Sequence, residues 1–368
     1  MDYTIVDLLI ELSERQASDL HITVGVPPTL RVHGRLVRLD YPALTPEDTR
    51  GLAFSIMRED QRKRLEKEKE IDFGYSQKGI GRFRCNGYWQ KGCIGLAMRS
   101  IPERIPTMEE LLIPEIMKDV IQEPRGLVLV TGPTGSGKTT SLASMLNVIN
   151  ETRDCHIITL EDPIEYVHDH KLSNFNQREV GEDTLSFYGA LVRALRQDPD
   201  VILVGEMRDL DTISTAITCA ETGHLVLATL HTNNAPQTVD RIVDVFPSEQ
   251  QEQIRFMLAN NLEAVLCQQL LPRAGMPGRV CAMEIMIATP AIRNLIRESK
   301  AHQITSVIQT SANVSMQTMD QSLRDLYQRG AISYDEGLSR AMNPEEFKTM
   351  VSTLARGKPT QTGNSNGR

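Results

Sequence analysis

Aromatic residues, an excess of positive charge and long apolar runs are all scarce in this 368-residue sequence. Aromatic side chains make up 5% of the chain, too few for a platform on which single-stranded bases stack. The 48 aspartates and glutamates outnumber the 40 lysines and arginines, and the net charge of −8 argues against broad nucleic-acid binding. Apolar runs stay shorter than the roughly 18–20 residues that cross a bilayer. We therefore expect no nucleic-acid partner and no integral membrane segment.

The six cysteines and the first residues of the sequence argue against a zinc knuckle and a signal peptide. No cysteine pair has CxxC spacing, which argues against a zinc knuckle, and scattered cysteines fit a reducing cytoplasm. The opening stretch, MDYTIVDLLIELSERQ, has acidic residues and no basic region before its apolar part, so it does not predict a signal peptide. We expect a cytoplasmic protein of two or three domains.

The patterns along the chain predict two α/β domains. Residues 1–100 mix helical stretches with short alternating strands and glycine turns, which predicts a small α/β domain. Residues 101–117 contain three prolines and predict a linker. Residues 118–354 repeat strand, loop and helix, and their aliphatic runs fit a buried, mainly parallel sheet. Residues 355–368 lack large apolar side chains and predict a disordered tail.

Two long helices are expected from periodicity. Residues 45–70 predict a helix with Thr45 as N-cap and Pro46 at its first position. The stretch SEQQEQIRFMLANNLEAVLCQQLLP, residues 248–272, predicts one helix that ends before Pro272.

Residues 132–139, GPTGSGKT, match the phosphate-loop pattern GxxxxGK[ST], with a predicted strand before them and a helix after them. Glycines let successive N–H groups turn toward an anion, and the helix directs its positive end at the phosphates. Lys138 places a charge near the β- and γ-phosphates, and the Thr139 hydroxyl can hold Mg²⁺. A glycine-rich turn without a ligand is the alternative. The predicted nucleotide ligands are Gly132, Thr134, Gly135, Ser136, Gly137, Lys138, Thr139 and Thr140.

A second strand is expected to bring a carboxylate to the phosphates. In DPDVILVGEMRD, residues 198–209, Gly205 occupies the place of the usual Walker B aspartate and Glu206 follows it. We predict that Glu206 serves the metal, directly or through a coordinated water. The alternative is a strand-end acid in a salt bridge with Arg208.

Acids and a histidine follow two further strands. Glu161, Asp162 and Glu165 crowd the end of IITLEDPIEY, and their repulsion favours a cation, a general base or both; a solvated acidic turn is the alternative. In GHLVLATLHTNNA, His231 lies at the carboxyl end of a strand, where a γ-phosphate sensor is expected, although a structural role is equally open. His224, at the opposite end, is the weaker ligand candidate.

Together these blocks resemble the secretion ATPase superfamily of hexameric P-loop motors, and closely resemble its pilus-retraction branch, the PilT family. The resemblance covers about residues 1–350. It implies a PAS-like N-terminal domain, a RecA-like ATPase domain, a ring of six, and ATP hydrolysis with Mg²⁺. The blocks that carry it are ASDLHITVGVPPTLRVHGRL (17–36), GRFRCNGYWQ (81–90), the phosphate loop, LEDPIEY (160–166), ILVGEMRD (202–209), GHLVLATLHTNNA (223–235) and AIRNLIRE (291–298).

The resemblance also assigns catalytic roles. It implies that N-terminal arginines reach the phosphates, with Arg84 and Arg99 as candidates and Arg82 third. It implies that Glu165 activates water, with Glu161 next.

In biological terms the resemblance implies a motor for type IV pilus retraction and twitching motility. Such a motor lies at the inner face of the inner membrane and acts on a platform protein there, with a paralogous retraction ATPase as a further candidate partner. Three alternatives stay open: a pilus-assembly or type II secretion ATPase, a nucleic-acid translocase, and an accessory subunit without turnover. Assembly motors usually carry an extra N-terminal region and a tetracysteine insertion, and we find neither pattern in this sequence.

The AIRNLIRE block gives a prediction that separates hydrolysis from retraction. Ile292, Leu295 and Ile296 form one apolar face of a helix, and the resemblance implies that this helix is needed for retraction. We expect Leu295→Ala to leave ATPase activity largely intact and to abolish retraction, measured by turnover of purified protein and by twitching of cells. Equal loss of both would show that the helix is merely structural.

Overall fold

The computed structural model describes residues 3–102 and 104–356. The chain forms two compact units: one runs to Ile105 and also takes in Pro163–Val167, and the other holds the remainder. Residues 355 and 356 of the predicted disordered tail, 355–368, are helical, and the rest of the tail lies outside the described residues.

The first unit is an antiparallel sheet with three helices. Its elements are α1 (Ile5–Glu14), β1 (Asp19–Ile22), β2 (Thr29–Val32), β3 (Arg35–Arg38), α2 (Pro46–Ser55), α3 (Glu59–Glu68), β4 (Glu70–Gln77), β5 (Gly81–Gln90) and β6 (Cys93–Ile101). Across the described residues the strand order is β3-β2-β1-β6-β5-β4. Its core contains Phe73, Phe83 and Cys85, because alternate residues of β4 and β5 point inward.

Thr45 caps α2 as predicted: its hydroxyl accepts from the Asp48 N–H and its own N–H donates to the Asp48 carboxylate. The single helix predicted over 45–70 is wrong, because the chain becomes extended at Arg58 and starts α3 there. Ile56 and Met57, at the break, are buried in the core of the unit.

The second unit is a mainly parallel sheet covered on both faces. Its elements are α4 (Ile116–Val120), β7 (Gly126–Thr131), α5 (Lys138–Thr152), β8 (His156–Glu161), β9 (Asn174–Glu179), α6 (Phe187–Ala194), β10 (Val201–Val204), α7 (Leu210–Glu221), β11 (Leu225–Leu230), α8 (Ala235–Asp244), α9 (Ser248–Asn261), β12 (Leu262–Pro272), β13 (Arg279–Ile287), α10 (Pro290–Arg297), α11 (Ile304–Thr310), α12 (Met319–Gln328), α13 (Tyr334–Arg340) and α14 (Pro344–Arg356), with short 3₁₀ turns at Ala301–Gln303 and Ala312–Val314. Over the described residues the strand order is β13-β12-β7-β11-β10-β8-β9, and only the β12–β13 pair is antiparallel.

Strand β7 shows why its sequence is a continuous aliphatic run. Leu127 and Leu129 pack in the core on one face of the sheet, and Val128 and Val130 pack in the core on the other. Both faces of a central parallel strand are therefore apolar. The predicted fold class, α/β with a mainly parallel sheet within residues 118–354, is confirmed.

The single helix predicted over 248–272 is wrong. Helix α9 ends at Asn261, and the chain continues as β12, which pairs with β7 on one side and β13 on the other. A short apolar run such as LEAVLC fits a helix or a buried strand equally well by periodicity. Pairing with β7 on one side and β13 on the other makes this run a strand.

The segment predicted as a linker, 101–117, is partly built into the second unit. Met108, Ile113 and Met117 are buried there against the face of the sheet that carries α5. The PAS-like and RecA-like identities of the two domains stay predictions.

Candidate functional site

The phosphate loop connects β7 to α5, as predicted, and Lys138 is folded into it. Only 9% of Lys138 is exposed, and its ammonium donates to the carbonyl oxygens of Gly132 at 2.8 Å and Pro133 at 3.1 Å. Burial lowers the pKa of Lys138, and the nearby charge of Glu206 opposes that shift. The Ser136 hydroxyl is buried and has no hydrogen-bond partner among the described residues.

Gly132 is required at the base of this loop. Its φ is +139°, and a Cβ there would overlap the Gln268 carbonyl oxygen of β12. The Gln268 side chain, fully buried, donates to the Ser141 hydroxyl of α5 at 2.7 Å. Gln268 is not among the residues predicted for the site, because the sequence predicts a helix over its segment.

Gly205 explains the departure from the usual Walker B sequence. Its N–H donates to the Leu160 carbonyl at 2.8 Å, and a Cβ at Gly205 would lie only 2.9 Å from that oxygen. On the other side the Thr229 hydroxyl donates to the Gly205 carbonyl at 2.5 Å. A side chain does not fit between these strands, so the acid follows one position later as Glu206.

Glu206 is shared by two partners. Arg208 Nε lies 2.6 Å from Glu206 Oε1, and His231 Nε2 lies 3.0 Å from the same oxygen. Partial burial favours the neutral carboxyl, but the Arg208 hydrogen bond and the charges of both partners outweigh it and lower the pKa of Glu206. The Arg208 salt bridge, weighed as an alternative to a metal role, is thus present, and His231 joins it.

The acid-rich turn is divided between the two units, with Glu161 and Asp162 in the second and Glu165 in the first. Glu161 is 7% exposed, and its Oε1 accepts from Thr159 Oγ1 at 2.6 Å and Gln177 Nε2 at 3.1 Å. Glu165 is exposed and lies in Pro163–Val167, the segment that belongs to the first unit. Among the described residues, no three histidine, cysteine or acidic side chains are grouped to hold a metal.

The candidate arginines lie side by side in the first unit. Arg84 on β5 is directly opposite Arg99 on β6, an unfavourable pairing of like charges. Arg99 Nε donates to Asp19 Oδ1 at 2.9 Å, and Arg31 lies 3.8 Å from the other Asp19 oxygen. Asp19 therefore offsets the local positive charge. It was not singled out from the sequence, because its cross-strand partners are distant along the chain.

The AIRNLIRE helix, α10, is anchored to its own unit. Ile292 and Ile296 are buried, and Leu295 is half-buried against the same core. Arg293 donates to the carbonyls of Ala259 and Asn260, both at 2.8 Å, in the last turn of α9. A cation at the carboxyl end of a helix stabilises its unpaired carbonyls.

This chain is similar to known proteins over nearly its full length. The family model of the type II/IV secretion system proteins matches residues 107–338. The type IV pilus retraction ATPase PilT of Pseudomonas aeruginosa is 51% identical over 93% of this chain and 99% of its own length. A twitching motility protein of Neisseria gonorrhoeae is 48% identical over 94% of this chain and 92% of its own. A crystal structure of the pilus retraction motor PilT with bound ADP matches 95% of this chain and 100% of its own, with 49% identity and a TM-score of 0.90. The predicted resemblance to the PilT family is confirmed.

The crowding at Gly205 gives a stability prediction. We expect Gly205→Ala to lower the free energy of unfolding by about 1–3 kcal/mol, because the added methyl is forced against β8, and to lower ATPase activity by displacing Glu206. Unfolding followed by circular dichroism measures the first effect. The matched control is Gly51→Ala in α2, where nothing lies within 4 Å of the new Cβ and a gain of about 0.5–1 kcal/mol is expected. Unchanged stability of Gly205→Ala would contradict the packing argument.

Proposed function

Because the chain belongs to the family of type II/IV secretion system proteins, we propose that it is an ATP-hydrolysing motor that powers type IV pilus retraction. The observation that carries this proposal is an intact phosphate loop in a chain similar to a retraction motor over nearly the full length of both. The residues beside the phosphate loop also support the proposal, because Glu206 and His231 lie at adjacent strand ends and contact each other.

The residues near Lys138 fit ATP with Mg²⁺. Mg²⁺ in nucleotide sites takes one or two protein oxygens and completes its shell with phosphate oxygens and water, so a closed protein cage is not required. The exposed Thr139 hydroxyl and the Glu206 carboxylate, whose lowered pKa keeps it ionised at neutral pH, are suitable donors. When bound, Mg²⁺ would neutralise charge on the β- and γ-phosphate oxygens.

The proposed roles of this chain's own residues follow from their surroundings. Lys138 would exchange its two carbonyl partners for phosphate oxygens, and loop N–H groups from Gly132 to Thr140 would bind the remaining phosphate charge. His231 would report the γ-phosphate through its contact with Glu206. Glu165 remains the proposed base that orients water.

Glu161 is the second choice for that base, because its carboxylate already accepts hydrogen bonds from two side chains of the sheet. Arg84 and Arg99 are proposed to stabilise the charge that develops during phosphoryl transfer.

The proposal extends to assembly and place of action. We propose a homohexamer at the inner face of the inner membrane, acting on a platform protein of the pilus machine, with a paralogous retraction ATPase as a candidate partner. Among the described residues, no helix combines the length and apolarity needed to span a bilayer.

Steady-state ATPase assays, with light scattering on the same samples, test the proposal. We expect magnesium-dependent turnover by a hexamer. Turnover in Glu165→Gln should fall by about 100-fold or more, because a neutral amide cannot take the proton from water, while the ring persists. The matched control is Glu221→Gln, an exposed carboxylate at the end of α7, which should retain wild-type turnover. A hexamer without wild-type turnover would favour the accessory-subunit alternative or a requirement for the platform partner.

A further inference from the structure

A buried carboxylate on β13 joins the first residues of two helices. Glu284 is 3% exposed, and its Oε1 accepts from the Ala235 N–H at 2.7 Å while its Oε2 accepts from the Met319 N–H at 3.4 Å. Ala235 and Met319 are the first residues of α8 and α12. The N–H groups of a first helical turn have no partner within the helix and carry its positive partial charge. Burial and the charge of Asp320 raise the pKa of Glu284, and the two N–H hydrogen bonds, together with the helix dipoles, oppose that rise.

One of these helices starts at the end of the His231 loop, which we define as residues 231–234. The loop begins at His231, which contacts Glu206, and ends at Asn234, the N-cap of α8. Ala235, the next residue, is held by Glu284. The loop is thus fixed at its far end by a side chain that lies about fifty residues later in the sequence.

The other helix continues the connection toward the carboxyl end of the chain. Asp320, the second residue of α12, is 5% exposed. Its two carboxylate oxygens accept from the N–H groups of Met342 at 2.7 Å and Asn343 at 2.8 Å. These two residues directly precede α14. Two buried carboxylates, Glu284 and Asp320, therefore connect the His231 loop to α12 and α12 to α14.

A second connection leads from Glu284 to the base of the phosphate loop. Glu284 is opposite Cys267 in the β12–β13 pair, and Cys267 is opposite Thr131 in the β12–β7 pair. Thr131 immediately precedes Gly132. Burying a carboxylate costs free energy unless its hydrogen bonds are made. Glu284 makes its hydrogen bonds where one connection leads to the His231 loop and the other to the base of the phosphate loop.

We propose that Glu284 is a positioning residue for ATP hydrolysis, which holds the His231 loop in place and couples its position to α12 and α14. In this role Glu284 acts through His231. The inference rests on the proposed function and adds a route by which the state of the phosphate site reaches the C-terminal helices.

The first test is hydrogen exchange with Glu284→Gln in the full-length protein. Glutamine replaces one of the two carboxylate oxygens with an NH₂ group, so one of the two helix N–H groups faces a donor in place of its acceptor. We expect exchange to rise at least about fivefold at residues 231–238 and in the first turn of α12, because Glu284 then no longer holds the first residues of both helices. The matched control is Glu263→Gln, a partly buried carboxylate on β12 that pairs with Arg293. It should change exchange near α10 and leave 231–238 as in the wild type.

The second test is a double-mutant cycle on turnover with His231→Ala. Glu284→Gln alone should lower kcat by about tenfold with little change in KM for ATP, because binding groups are untouched. In the His231→Ala background the same substitution should change kcat by less than about twofold, since the residue through which it acts is gone. An equal factor in both backgrounds would overturn the proposal, as would unchanged kcat with a lowered melting temperature.

Two further measurements separate failure of the proposed role of Glu284 from a variant that does not fold and from failure of the proposed function. If Glu284→Gln does not fold, Ala235→Pro removes the same hydrogen bond from the donor side. Proline is favoured at the first helical position, and Asn234 is extended there, with ψ of 167°. Wild-type exchange at residues 231–238 in that variant would overturn the proposal. Absence of wild-type turnover would bear on the proposed function, whereas the exchange experiment does not depend on activity and would still test whether Glu284 holds the His231 loop.

Discussion

Parallel pairing of β7, β11 and β10 is the constraint on which the rest of this structure depends. Thr131 is in register with Leu230, and Ala228 with Val204, so the three strands end at the same edge of the sheet. Each strand is followed there by a different chemical group: the phosphate loop, His231 and Glu206. Backbone hydrogen bonds thereby set the spacing of polar groups that lie up to a hundred residues apart.

The local parts of this arrangement could be predicted from the sequence. The phosphate loop is contiguous, so its glycines, Lys138 and its flanking elements follow from one short stretch. Glu206 and His231 were predicted because strand ends can be recognised from aliphatic runs. The assignments of Glu165, Arg84 and Arg99 rest on family resemblance. These three residues belong to a different unit from the phosphate loop, and their roles stay predictions.

The parts that could not be predicted depend on contacts between distant segments. Nothing in ILVGEM, residues 202–207, shows that Gly205 is pressed between Leu160 and Thr229. The position of Gln268 on a strand could not be predicted, because a helix was expected over 248–272. A short apolar run fits a helix or a strand equally well. Glu284 gives no signal within its strand, since its two partners are the first N–H groups of helices that precede and follow it in the chain.

The carbonyl contacts of Lys138 have a consequence for product release as well as for substrate binding in the proposed mechanism. The ammonium is already withdrawn from water and already satisfied by Gly132 and Pro133. If Lys138 binds the phosphates as proposed, each nucleotide that enters would displace those two oxygens and each that leaves would restore them, so the loop would compete with the phosphates for the same cation. Such competition would weaken ground-state binding of ATP and ADP alike. In the proposed motor it would also favour release of ADP at the end of each cycle.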